Sequence, residues 1–277
     1  MEMNELNTLF DLSGKVAAVT GGGGVLCSGI SLSLARAGVK VAVLDVRLEM
    51  AQRVASEIQA SGGQALAVQC DVLDKASVEA ALQAVLAAFE RVDFLINGAG
   101  GNRPQATTNP QQPFFDLPLE ALKWVLDLNF LGTLISCQVF GRYMAERGDG
   151  AILNISSMNA LRPLTRVPAY SGAKAAVSNF TQWLAVHLAL EYSPRLRVNA
   201  LAPGFFSTEQ NRYLLFDAQT GTLTPRGQQI LAHTPQGRFG QPDDLLGAVF
   251  WLLSPSASFV TGVVVPIDGG FSAYSGV

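Results

Sequence analysis

Seven short runs of β-branched and small apolar residues recur along the chain, and stretches with helical spacing separate most of them. The spacing predicts strands over 16–20, 41–45, 65–69, 94–97, 151–155, 197–202 and 263–267. It predicts helices over 26–37, 48–61, 75–90, 168–191 and 243–253, with a further helix that takes Pro118 as its first residue and ends near Arg147. Regular alternation of strand and helix implies a parallel sheet covered by helices on both faces. The expected strand order is 3-2-1-4-5-6-7, whose first six strands follow the doubly wound pattern. With 277 residues, no internal repeat and no linker, the chain is expected to form a single α/β domain over 1–277. Two loops interrupt the rhythm: 98–117, with three prolines, and 205–241, polar and punctuated by Gly and Pro. The second is expected to be partly helical and to act as a substrate lid.

Composition narrows the possible functions. The net charge is −3, with 19 basic residues spread along the chain, so no electrostatic footprint for nucleic acid exists. Anions must be met by local arginines. The first fourteen residues lack the basic start of a secretory signal. The uncharged stretches 16–35 and 245–267 are broken by glycines or by Ser254–Ser258, and read as buried core rather than membrane helices. Three scattered cysteines without a CxxC pair suggest a reducing cytoplasm. Two histidines, His187 and His233, leave little room for a histidine metal site or a Ser-His-Asp triad, and no metal is expected. Residues 175–190 carry no charge around the whole helical circumference, so that helix is either central in the monomer or packed on another subunit. A subunit contact, in a homodimer or homotetramer, is the expectation.

The first strand-to-helix junction carries Thr20-Gly21-Gly22-Gly23-Gly24, followed by Val25 and Leu26. Glycines permit a tight turn and a close approach of backbone to a pyrophosphate. The helix start then offers free N–H groups and the positive end of its dipole. Gly21, Gly23, Gly24, Val25 and Leu26 are therefore candidate cofactor residues. Asp45 ends the second strand, where a carboxylate can accept two ribose hydroxyls and repel a 2′-phosphate; it can equally cap a turn. Arg47, two residues on, can meet such a phosphate. NAD is expected, with NADP possible.

Tyr170 and Lys174 stand four apart on a predicted helix and share one face. A free phenol titrates near ~10. An ammonium about 4 Å away is worth roughly 4 kcal/mol at an effective dielectric near ~20, an upper figure equivalent to about 3 pKa units. Such a pair brings a phenol toward the range of general acid–base catalysis. Ser157 follows strand five and can donate a hydrogen bond to the same substrate oxygen. Taken singly, each has an ordinary structural use: a helical pair, a cap, a surface amide at Asn129.

Taken together, in order over some 250 residues, these motifs resemble the short-chain dehydrogenase/reductase family. The matching pieces are Thr20-Gly21, Asp71-Val72, Asn97-Gly98-Ala99-Gly100, Asn129 with Gly132-Thr133, Ser157, Tyr170-xxx-Lys174, Pro203-Gly204 and Asp268-Gly269-Gly270. The resemblance implies a Rossmann-type fold and hydride transfer between nicotinamide and a carbonyl or alcohol carbon. It implies that Asp71 and Val72 flank the adenine and that Asn97, Gly98 and Ala99 line the nucleotide. Pro203, Gly204, Phe206 and Thr208 would border the nicotinamide. Lys174 would hold the nicotinamide ribose, and Asn129 a water linking Lys174 to solvent. Two departures stand out: Val25 and Cys27 replace the later glycines of TGxxxGxG, and Gly98 replaces the second asparagine of NNAG.

The glycine run, the Asn97–Asn102 run and the 271–276 tail are similar to the D-mannonate oxidoreductase or fructuronate reductase-like branch. That likeness implies a sugar-acid substrate. Asn102, Arg103, Ser157, Asn159, Arg162 and Tyr170 are the candidate substrate residues, with Arg166 and Arg212 as further cations and Phe114, Phe115 and Phe205 as an apolar wall. The alternatives are a gluconate 5-dehydrogenase, a 3-oxoacyl carrier-protein reductase, or a nicotinamide-sensing protein without turnover.

Overall fold

The computed structural model describes residues 8–207, 215–217 and 219–276. Seven strands form one parallel sheet in the order β3-β2-β1-β4-β5-β6-β7. They are β1 (Val16–Thr20), β2 (Lys40–Asp45), β3 (Ala65–Gln69), β4 (Phe94–Asn97), β5 (Gly150–Ile155), β6 (Leu196–Pro203) and β7 (Val264–Ile267). This is the Rossmann-type single domain expected from the alternation, and each predicted strand lies within a residue of its observed ends.

Successive side chains of a strand point to opposite faces, and here both faces are apolar. Ala17 and Val19 of β1 join a core with α1 (Val25–Arg36), α2 (Leu48–Ala60) and α8 (Leu246–Leu253). Val16 and Ala18 join the opposite core with α3 (Lys75–Phe89), α5 (Gly132–Arg147) and α6 (Pro168–Glu191). The helices present matching stripes: Ala51, Val54, Ala55 and Ile58 on α2, and Val78, Ala81, Leu82 and Val85 on α3. Asp74 caps α3 by accepting from the Ala76 amide. Buried Arg197 on β6 donates to the Leu252 and Leu253 carbonyls that end α8.

The expected long helix after Pro118 departs from the reading in two ways. Pro118 is the cap of α4 (Leu119–Leu126) rather than its first residue. One turn of π-helix over Asp127–Leu131 then joins α4 to α5. Over Leu119–Arg147 this rod is long and apolar enough to cross a membrane, and half of its apolar window is buried in the protein. Gly132 lets it approach the turn between β3 and α3, since a Cβ there would lie 2.7 Å from Val72 Cγ2.

Helix α6 was expected to be covered all round. Ala173, Val177, Leu184 and Leu188 are buried, whereas Trp183, Val186 and Leu190 stay exposed. Segment 205–241 contains α7 (Pro225–Ala232), capped by Thr224.

Candidate active site

The carboxyl ends of β1, β2, β4 and β5 meet at a crevice, the place where a doubly wound sheet binds its ligand. At the end of β1, Gly21 adopts φ +61°, and a Cβ there would sit 2.8 Å from both N and Cα of Ala99. Only glycine meets both demands. Gly24 then caps α1 with no side chain over the first turn. The amides that open α1, at Val25 and Leu26, occupy the positions a helix leaves without internal acceptors.

Asp45 is buried, and both carboxylate oxygens already accept backbone bonds: Gly23 N–H at 3.1 Å and Arg47 N–H at 3.0 Å. The turn-cap role is therefore real, and any ribose contact must share these oxygens. Arg47 is exposed beside it. Arg53, which the sequence did not single out, donates to the Gly23 carbonyl at 3.3 Å. Thr20, the first residue of the glycine motif, gains a role of its own: its Oγ1 accepts from the amides of Gly98 (3.2 Å) and Ala99 (3.3 Å), tying β1 to the β4 turn.

The two departures from the motifs prove to be one feature. A Cβ on Gly98 would lie 2.0 Å from Cys27 Sγ, so the thiol fills the space that glycine vacates. That thiol is buried, and burial pushes its pKa up to about 12, which makes it an inert filler.

Several expected cofactor contacts are engaged elsewhere. The Asn97 side chain points into the core, donating to Asn154 Oδ1 at 2.9 Å; Asn154 in turn donates to Thr181 on α6. Only its backbone remains for a nucleotide. Phe206 is buried, close against Gly240, and lines a cavity on that side. Asp71 is exposed and accepts from the Leu73 amide, as a turn cap does, while Val72 packs near Gly132. Pro203 ends β6, and Gly204 passes so close to Asp268 that a Cβ would meet its Cβ at 2.6 Å. Thr208 and Arg212 lie outside the described residues.

Ser157, Tyr170 and Lys174 come together beside these turns. Tyr170 is half-buried and hydrogen-bonds Ser157, whose Oγ also accepts from the Asn159 amide at 3.2 Å. Burial raises the Tyr170 pKa, and the Ser157 bond only partly offsets it. Lys174 is 4% exposed, and its Nζ lies 5.7 Å from the Tyr170 ring centroid. It donates to the Ile155 carbonyl at 2.7 Å. Burial lowers its pKa to about 8. The amine is thus bonded to a β5 carbonyl, and burial outweighs the Ser157 bond in setting the direction of the phenol's shift.

Asn129 sits in the π turn and is wholly buried. Its amide bonds both polar atoms of Gly101: Oδ1 accepts from the N–H at 3.1 Å, and Nδ2 donates to the carbonyl at 2.7 Å. Gly100 permits the contact, for a Cβ there would lie 2.7 Å from Asn129 Oδ1 and 3.3 Å from Lys174 Nζ.

Toward the expected substrate side, Arg103 stacks on Trp124 with its Cζ 3.6 Å from the ring centroid. Trp124 and Tyr170 pack on the same small apolar cluster. Asn102 donates to Thr107, and Arg162 Nε donates to the Ser272 carbonyl of the tail. Asn159 is buried with its Oδ1 unpartnered. Phe114 and Phe115 are exposed, while Phe205 packs on Phe271 at 5.3 Å. A cavity of about 370 Å³ is lined by Phe205, Phe206, Thr234, Arg238, Asp244 and Asp268 among others; Ser157, Tyr170, Lys174 and Asn129 do not border it.

Comparison with known proteins agrees with this geometry. A family model described as enoyl-(acyl carrier protein) reductase matches residues 25–272. An uncharacterised oxidoreductase of Bacillus subtilis is 51% identical over 276 residues, covering 96% of this chain and 98% of the relative. A structure from Haemophilus influenzae, provisionally named a D-mannonate oxidoreductase and holding NAD, is 47% identical with a TM-score of 0.91, covering 96% of this chain and 98% of that one. A gluconate 5-dehydrogenase from Burkholderia cenocepacia, in complex with NADP and tartrate, is 31% identical with a TM-score of 0.84 and covers 96% and 98%.

Proposed function

The chain belongs to the short-chain dehydrogenase/reductase family and is an NAD(P)-dependent oxidoreductase; from that premise we propose that it interconverts the keto and hydroxy forms of a sugar acid, of the fructuronate and mannonate type. The observation that carries the catalytic part is the grouping of Ser157, Tyr170 and Lys174 at the mouth of the glycine turns. The name of the Haemophilus influenzae neighbour and the arginines around the site support the substrate class.

The residues fit a dinucleotide, because Gly24 leaves the first turn of α1 uncovered and Gly101 has open space above its Cα. In this reading the backbone at Gly21, Gly23, Gly24, Val25 and Leu26 holds the pyrophosphate and Asp45 a ribose edge. Asp71 and Val72 flank the adenine, and the backbone of Asn97, Gly98 and Ala99, with Pro203 and Gly204, lines the rest. The bound nicotinamide supplies or accepts the hydride.

The protein's own work is with the proton and the substrate oxygen. Tyr170, kept protonated by burial, donates its Oη proton to the carbonyl oxygen as hydride reaches the carbon, leaving a secondary alcohol. Ser157 donates to the same oxygen and holds the phenol in place. Lys174 binds the ribose and, with water near Asn129, returns a proton to the tyrosinate. Oxidation runs these transfers in reverse. The exposed apolar face of α6 suits a contact between subunits of a homodimer or homotetramer, and the protein works in the cytoplasm. In this reading α7, within the segment expected to form a lid, closes over the substrate.

The test follows NADH and NADPH oxidation with D-fructuronate, 5-keto-D-gluconate and an acetoacetyl thioester. Reduction of fructuronate with the highest kcat/KM is expected. Preference for the thioester would overturn the sugar-acid assignment, and preference for 5-ketogluconate would favour the gluconate dehydrogenase reading suggested by the Burkholderia cenocepacia neighbour.

A further inference from the structure

Arg103 is half-buried, and its guanidinium lies on the indole of Trp124 with Cζ 3.6 Å from the ring centroid. So short a separation requires the guanidinium to lie flat on the ring. The N–H donors of a guanidinium all lie in its plane, so stacking covers its faces and leaves its donors free. Among the described residues no group accepts a hydrogen bond from them, and no carboxylate pairs with the charge. Other arginines differ: Arg147 and Arg238 pair with Asp93 and Asp244, while Arg162 and Arg197 donate to backbone carbonyls.

The side chain is fixed at both ends. At its root, the Arg103 carbonyl accepts from the Ala106 amide at 3.0 Å and from Thr107 Oγ1 at 3.1 Å, and that hydroxyl accepts from Asn102 at 2.8 Å. Two residues earlier, Gly101 is clasped by the buried Asn129 amide. At its tip, Trp124 lies in the last turn of α4. The same contacts place the cation beside the catalytic phenol. Ala106 is wholly buried in a cluster with Ala121, Val125 and Ala169, and both Trp124 and Tyr170 pack on that cluster. The Thr108 amide donates to the Arg166 carbonyl at 2.9 Å, which ties this loop to the segment leading into Tyr170. A cation so held has lost part of its water without gaining an anion, and its donors need no further ordering to receive one.

We propose that Arg103, held flat on Trp124, binds the carboxylate of the substrate and sets the preference for a sugar acid over the matching neutral sugar. The free edge of a guanidinium offers paired N–H donors that fit the two oxygens of a carboxylate. Trp124 acts through the arginine as a positioning residue, fixing the direction of that edge. The inference rests on the sugar-acid reading and makes it specific: of the arginines around the site, Arg103 is the one that meets the acid.

The experiment compares D-fructuronate with D-fructose, the same ketose bearing a hydroxymethyl group in place of the carboxylate. It uses the full chain, with NADH affinity followed by fluorescence in every variant. The wild type is expected to favour fructuronate. Arg103→Gln should lower the ratio of kcat/KM for fructuronate over fructose by about tenfold or more, chiefly through KM, as loss of a charge-assisted hydrogen bond implies. Arg103→Lys, which keeps the charge and loses the fork, should lower it less. Trp124→Leu leaves the arginine in place and gives a second reading should Arg103→Gln not fold. It should lower the ratio by about threefold to tenfold, the scale of a partly desolvated cation–π contact, and Trp124→Phe should restore part of the loss.

A wild type indifferent to the carboxylate overturns the sugar-acid reading and the anchor with it. A wild type that favours fructuronate while Arg103→Gln keeps its ratio within twofold overturns the anchor alone. Weakened NADH binding with the ratio preserved assigns the stacked pair to the structure of the loop and also overturns it. A ratio lost in Arg103→Gln but unchanged in Trp124→Leu removes the positioning role from the ring.

Discussion

At Gly21, Gly22, Gly23, Gly98 and Gly100, neighbouring atoms approach to distances that leave no room for a Cβ. Around Arg103 and Arg162, cations rest against an aromatic ring and a tail carbonyl. The first wall is specified by steric exclusion, the second by charge without a counterpart. A ligand common to a whole family can be read by shape, whereas a particular substrate must be read by unsatisfied chemistry.

The sharpest way to break this contrast is at the point where the walls meet. Tyr170→Phe removes the proton donor and leaves the glycine wall intact. Turnover should fall by about 10³-fold, within the usual range for general acid–base groups, while NADH still binds by fluorescence titration. Near-normal turnover would take Tyr170 out of its role.

The next test loads the glycine wall. Gly98→Ala drives a Cβ to within 2.0 Å of Cys27 Sγ and should cost about 2 kcal/mol of stability in chemical denaturation, typical of overpacking. In a Cys27→Ala background the Thr20 carbonyl oxygen, at 3.0 Å, is the nearest remaining atom, so part of that loss should disappear. Additive losses in the double mutant would show that thiol and glycine are not a matched pair.

A smaller effect is expected at the turn cap. Asp45→Asn keeps an acceptor for Gly23 and removes the charge facing the ribose. The ratio of kcat/KM for NADH over NADPH should fall by about tenfold, the scale of one weakened charged contact. An unchanged ratio would leave Asp45 with its structural duty only.

The pH profile should show the mildest change. Lys174 titrates at about 8 because burial disfavours its charge. As pH rises through that value the ammonium becomes neutral, so kcat/KM for ketone reduction should decline several-fold between about pH 7 and 9. The phenol, shifted upward, stays protonated over that interval. A rising limb there would contradict the assignment of both groups.

How far the sequence alone reached follows the same division. The sheet was legible because its strands are mostly apolar runs bounded by turns, those of β1, β2 and β4 buried almost throughout. The glycine turns were legible because steric demands fall on single residues. The Tyr170–Lys174 face was read correctly from helical spacing, but the amine's partner was not, since the Ile155 carbonyl arrives from β5, nineteen positions away. Asn97 read as a crevice residue and proved to be a core amide, because Asn154 and Thr181 come from other elements. The π turn left no trace, as its residues Asp127–Leu131 are ordinary helix formers.

The π turn at Asp127–Leu131 has a geometric consequence. One surplus residue in a screw of 3.6 residues per turn advances its phase by about 100°. The segment before it can therefore direct its apolar side toward Ala106 and Ala169, and the segment after it toward the sheet. Deleting one residue there would give a smoother cylinder and a worse protein. Either Phe140 and Met144 would leave the sheet, or the Asn129 amide would rotate off Gly101 and release the strand-four turn.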